Sequence, residues 1–179
     1  PEVDDIIEIG AVKFQGERVL GQWHTLVKPG FPLPFRAEQF TGITAAEVAA
    51  APTLAAVAGQ LISFVRDHPI VGQSIPQDIG FLAHKGLALS NLVYDTFDLA
   101  SILLPELSNY SLASVAEHFG IPFPVQHRAL PDAIVSKNVF NALWRRALEL
   151  DLAVVGEINR LTADSHWPLR HFFRDVEKA

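Results

Sequence analysis

The sequence predicts an α/β domain, a mixed sheet flanked by helices, on three observations. Strand-like and helical stretches follow in the order strand, strand, helices, strand, helix, strand, helices. The later strands are brief and joined through helices, the pattern that pairs in parallel through right-handed crossovers. Of the 179 residues, 49% are hydrophobic, enough for one folded domain with a substantial core. A mixed sheet needs a central strand, and none of the recognisable strands fills that role. The chain also opens at Pro1 rather than at methionine and enters a strand within five residues, which predicts a fragment whose beginning lies elsewhere.

Composition excludes several classes. The longest apolar run falls far short of the ~20 residues that cross a membrane, and no signal peptide is visible, so a cytoplasmic protein without membrane contact is expected. The absence of cysteine rules out disulfides and thiolate metal sites. Net charge is −6, and the acidic excess lies in residues 1–136. Such a body does not wrap nucleic acid with a basic face. It is compatible with an enzyme that meets phosphate through bound cations.

Taken in order, Ile6–Phe14 (IIEIGAVKF) is rich in β-branched and apolar residues and reads as a strand. Gln15-Gly16-Glu17 supplies a turn and Val19–Lys28 a second strand, which makes a hairpin. Glu8 is a charge inside the first apolar strand, either a solvated or paired edge residue or a carboxylate near a site. Pro29–Pro34, with three prolines and a glycine, is an irregular loop. Thr44 and Glu47 fit a capping box. The helix they open ends near Ala51, because Pro52 disfavours helix in the residue before it. Thr53 caps a further helix with Leu54, Val57, Ala58, Leu61 and Val65 on one face.

Pro69–Gly72 reads as a short buried strand, and Ile79–Lys85 as a helix stopped by Gly86. Asp78 then lies near a helix N-terminus, where the dipole alone would favour a carboxylate. Val93–Asp95 is a brief strand and Phe97–Leu104 a helix; Ser111 caps another, ending at Gly120. Pro131 opens a long helix with apolar positions at Ile134, Val135, Val139, Phe140, Leu143, Trp144, Ala147 and Leu148. The tail is helical to about Thr162, and beyond it Trp167, Leu169, Phe172 and Phe173 are too few for a core of their own.

The most telling stretch is Ile121–Ala133, IPFPVQHRALPDA. It puts His127 on a loop and Asp132 in the first turn of the long helix, pointing back toward that loop. An imidazole that titrates near neutral pH beside a carboxylate makes a base-and-ligand pair; alone, His127 also fits an ordinary surface histidine. The remaining histidines, at 24, 68, 84, 118, 166 and 171, show no ligand spacing and read as structural.

IIEIGAVKF, the run from Thr41 to Pro52, VGQSIPQDIGFL from Val71 to Leu82, and HRALPDA from His127 to Ala133 resemble the DEDDh (DnaQ-like) 3′–5′ exonucleases. The likeness runs from Ile6 to Trp144 and implies a ribonuclease H-like fold. It implies that Asp78 and Asp132 are metal ligands and His127 the general base. It further implies that Thr41, Gly42, Ile43, Gln73 and Ser74 meet the substrate; Glu8, on its place in the apolar strand, is the candidate for a supporting carboxylate near the site. The family's first motif, Asp-x-Glu on the central first strand, lies upstream of its IIEIG-type strand. That motif and strand are therefore expected to be missing here. The second motif also departs: Gln73-Ser74 stand where the family commonly has His-Asn, and Gln77 where it has Phe.

The chemistry explains these residue types. Phosphodiester hydrolysis asks for a hydroxide nucleophile and for neutralised charge on the attacking and leaving oxygens. Two divalent ions about 3.5–4 Å apart do both, and carboxylates suit Mg²⁺ or Mn²⁺. Four carboxylates would hold the pair; this chain supplies two of them, so by itself it is expected to bind ions weakly and to show little activity. The expected substrate is the 3′ end of a single-stranded nucleic acid, with DNA favoured over RNA and both left open by the sequence. The expected organisation is an exonuclease domain over residues 1–150 and a C-terminal extension or linker over 151–179, attached to a polymerase or, by a resemblance in the tail, a bacterial DinG-type helicase. The rival expectation is a catalytically silent module that positions nucleic acid or a partner for an attached enzyme.

Overall fold

The computed structural model describes residues 5–179. Its contacts divide the chain into two units, one of residues up to Arg66 with Phe123–Ile134, the other of Asp67–Pro122 with Val135–Ala179.

In the first unit, β1 (Glu8–Gln15) pairs antiparallel with β2 (Arg18–Leu26), Glu8 facing Leu26 and Gln15 facing Arg18. Gly16, at φ 54°, makes the expected tight turn. The register slips between Lys13 and Phe14, the signature of a bulge. Three short helices follow: α1 (Phe35–Thr41), α2 (Ala45–Ala50) and α3 (Leu54–Val65). The Thr44–Glu47 capping box is present in both directions, and Thr53 accepts from Ala56 N–H. Val27, Ile43, Val48, Val57 and Leu61 are buried here.

In the second unit, β3 (Ile70–Gly72) pairs in parallel with β4 (Val93–Asp95). Around them run α4 (Ile75–His84), α5 (Thr96–Leu103) and α6 (Leu112–His118). The long α7 (Ala129–Leu148) contributes its residues from Val135 onward, followed by α8 (Leu152–Thr162) and α9 (Arg170–Lys178). Phe172 packs edge-on against Tyr94, Phe140, Trp144 and Phe173, and Trp167 stacks on Phe173. Phe172 and Phe173 are fully buried. Among the described residues no helix is long and apolar enough to cross a membrane.

The α/β class is as expected, with four differences in detail. The described strands form two separate pairs, one antiparallel and one parallel, instead of a single mixed sheet. α1 was not foreseen, because FRAEQFT buries none of its residues and so shows no apolar stripe. α4 starts at Ile75 rather than Ile79: Pro76 sits in its first turn, where a missing N–H costs nothing, instead of marking a break. The Trp167–Phe173 cluster needs no core of its own, because it completes the core of the second unit.

Candidate active site

The sequence HRALPDA turns from loop to helix at the start of α7. His127 adopts the left-handed conformation, φ 61°, which non-glycine residues rarely occupy without support. The next residues are held from β1. Arg128 Nε donates to both Glu8 carboxylate oxygens at 3.1 and 3.2 Å, and its Nη2 donates to Oε1 at 3.0 Å. Ala129 N–H, one of the donors a helix start leaves unpaired, donates to Glu8 Oε2 at 2.8 Å. His24 Nε2 lies 2.6 Å from Oε1. The Glu8 side chain is 5% exposed. Burial pushes its carboxyl up, but the hydrogen bonds from Arg128, Ala129 and His24 and the Arg128 charge more than offset that, leaving it below the usual glutamate range. Glu8 is therefore paired, and its partners flank the candidate base.

Gly10, two residues along β1 on the same face, completes this seat. A Cβ at that position would lie 2.4 Å from Ala129 C and from Leu130 N. Glycine is what lets the backbone of the first turn of α7 lie against the strand. On its other side His127 meets Phe40, with ring centroids 3.8 Å apart and planes tilted by 30°, although Phe40 is 64% exposed. Phe40 precedes the candidate substrate residues. Thr41 Oγ1 donates to Ala37 O at 2.8 Å and accepts from Ile43 N–H at 3.2 Å. Gly42 turns the chain at φ 71°, and the Ile43 side chain is buried.

Asp132 occupies the first turn of α7, its N–H donating to Arg128 O at 2.9 Å. Its Oδ1 is buried and finds no hydrogen-bond partner among the described residues. Burial holds this carboxyl above the usual aspartate range, against the opposing pull of His127 and the nearby backbone. A buried, unsatisfied carboxylate oxygen calls for an explanation, and a hard divalent cation is what such an oxygen binds. The donor chemistry of Asp132 thus fits the family's cation. Among the described residues no group of three or more histidines, aspartates or glutamates is gathered to hold a metal.

The second unit carries Gln73, Ser74 and Asp78. Gln73 is used at both ends, its Nε2 donating to Tyr110 O at 2.7 Å and its Oε1 accepting from Thr96 Oγ1 at 2.7 Å. Ser74 is left-handed, φ 50°, and its N–H donates to Asp95 Oδ1 at 2.9 Å. The same oxygen accepts Phe97 N–H at 2.8 Å and so caps α5. Asp78 lies in the first turn of α4, exposed. The protein around it still raises its carboxyl above the usual range, and the Asp95 charge adds to this. Arg128, Gly10, His24, Phe40 and Asp95 were not singled out from the sequence. Of these, only Gly10 had a local signal, a glycine inside an apolar strand.

A family model described as Exonuclease matches residues 1–140. The DNA polymerase III subunit epsilon of Aquifex aeolicus is 35% identical over 144 residues, covering 78% of this chain and 71% of that protein. The PolC-type DNA polymerase III of Caldanaerobacter subterraneus subsp. tengcongensis is 32% identical over 160 residues, covering 87% of this chain. The chain spans only 11% of that polymerase's length. Among solved structures, exonuclease X in complex with 5′ overhanging duplex DNA superposes with a TM-score of 0.65 at 21% identity, covering 78% of this chain and 82% of that one. A full-length 3′-exonuclease superposes at 0.60 with 19% identity, covering 80% and 54%. Both carry the ribonuclease H-like fold expected from the sequence.

Proposed function

This chain belongs to the exonuclease family, and we propose that it removes nucleotides one at a time from the 3′ end of single-stranded DNA. The observation that carries this reading is the buried Asp132 oxygen, without a partner among the described residues, in the first turn of the helix that an exposed left-handed histidine leads into. His127 is assigned as the general base, and Asp132 and Asp78 as ligands of two divalent cations, Mg²⁺ or Mn²⁺. When bound, those cations supply charge neutralisation at the phosphate. His127 takes a proton from the attacking water on an imidazole nitrogen as the water oxygen bonds to phosphorus. The phosphorus–O3′ bond then breaks, freeing a nucleoside 5′-monophosphate, and the departing O3′ takes a proton from solvent water to become the 3′ hydroxyl of the shortened strand. Phe40, leaning on His127, covers one face of the ring and limits its orientations. Thr41, Gly42, Ile43, Gln73 and Ser74 are assigned to the substrate path, Gln73 and Ser74 through the backbone shape that their own hydrogen bonds fix.

The long PolC-type relative supports reading the chain as a module of a larger replication protein that carries a polymerase. Residues 1–150 are assigned to the exonuclease domain, and 151–179 to an extension docked on it. The test is degradation of a 5′-labelled single strand by the chain and by a version extended upstream with an Asp-x-Glu strand. The expected result is Mg²⁺-dependent 3′ shortening, strong only in the extended version, and reduced about 10²–10⁴-fold by His127→Ala. A ladder untouched by His127→Ala and Asp132→Ala overturns the assignment and favours a silent positioning module.

A further inference from the structure

His127 sits at φ 61°, a conformation that persists in a non-glycine residue only where its surroundings impose it. The side chain meets Phe40, an exposed ring that cannot fix the backbone. Beyond it, the Glu8 hydrogen bonds described in the turn fall on residues 128 and 129. Arg128 is gripped by its guanidinium and Ala129 by its N–H, so two consecutive residues after the histidine are pinned to one buried carboxylate. His24, on the neighbouring strand, closes the carboxylate from the side. Gly10 meets a different part, the Ala129–Leu130 peptide. The two contacts therefore fall on different groups, Gly10 on that peptide and Glu8 on the Arg128 guanidinium and the Ala129 N–H.

We infer that Glu8 is the positioning residue of this site, holding His127 in its left-handed conformation through Arg128 and the Ala129 N–H. This rests on the reading of His127 as the general base. Glu8 touches no reacting atom in this assignment and acts only through the histidine's peptide. A carboxylate in an apolar strand thus has its function in the reaction and not only in the sheet.

The experiment pairs hydrogen exchange with a double-mutant cycle. In Glu8→Ala, the Ala129 amide is expected to exchange about tenfold faster, while amides in the middle of β1 keep their protection. Arg128→Ala, which leaves β1 untouched, is expected to do the same and guards against a misfolded Glu8 variant. In the active, upstream-extended protein, Glu8→Ala is expected to lower kcat about tenfold with little change in KM, and to have almost no further effect on His127→Ala. Equal losses from Glu8→Ala in the presence and absence of His127 overturn the inference, as does an Ala129 amide indifferent to both variants. The exchange result needs no activity, so an inactive enzyme defeats the functional reading without deciding this one.

Discussion

The two units bring a candidate carboxylate to the start of a helix in the same way and fasten it differently. In each, a left-handed residue comes just before or within one residue of the helix, His127 ahead of α7 and Ser74 ahead of α4. In each, a carboxylate from a strand accepts a backbone N–H at the turn, Glu8 from Ala129 and Asp95 from Ser74. Glu8 adds a cation, Arg128, whereas Asp95 adds a second backbone N–H, that of Phe97. The consequence shows in their acidity. The cationic partner helps leave Glu8 below the usual range, whereas burial of Asp95, aided by the Asp98 charge, wins over its backbone N–H donors and raises it. One turn is clamped by a cationic donor and the other bracketed by neutral backbone donors.

Substitutions that break one fastening at a time test this contrast. The largest effect belongs to Gly10→Ala, because the clash is with backbone, which has no rotamer to move. It is expected to cost about 3 kcal/mol in urea denaturation, with lost protection at Ala129 and Leu130. Next is Asp95→Ala, which removes the cap of α5 and strands the Ser74 N–H. About 2 kcal/mol is expected from the same measurement.

Acid should separate the two turns. The Glu8 contribution is present above its ordinary value of 4.5 and is lost as pH falls through the lowered folded-state value. Asp95, raised above 3.8, behaves oppositely, stabilising most below that value and losing the benefit as pH rises through the folded-state value. Acidification from neutrality is therefore expected to loosen the 128–129 turn, by about 1 kcal/mol for a buried carboxylate paired with a partly exposed arginine, and to spare the turn at Ser74. Amide exchange read against pH at Ala129 and Ser74 checks this, and equal loosening of both would erase the distinction. The smallest effect comes from relieving the left-handed residues. His127→Gly and Ser74→Gly are each expected to stabilise by about 0.5 kcal/mol, the strain relieved less the entropy glycine adds to the unfolded chain. A loss at either position would mean that its side chain contributes more than its backbone strains.

Local chemistry made much of this legible in advance. The Thr44–Glu47 box, the Thr53 and Ser111 caps and the glycine stops at 86 and 120 all fell where residue type predicts. His127 and Asp132 could be set on a loop and a first helical turn because Pro131 marks that turn. What could not be read depends on partners distant in sequence. Glu8 was ambiguous because its answer, Arg128, lies 120 residues away. The burial of Phe172 and Phe173 depends on Tyr94, Phe140 and Trp144, which no periodicity within the tail reveals. α1 escaped because a helix with Phe35 and Phe40 facing water has no pattern to detect.

The absent side chain at Gly10 also has a mechanical meaning. Where strand and helix touch main chain to main chain, no rotamer stands between them, so a shift of one backbone at Gly10 has to be met by a shift of the other at Ala129 and Leu130.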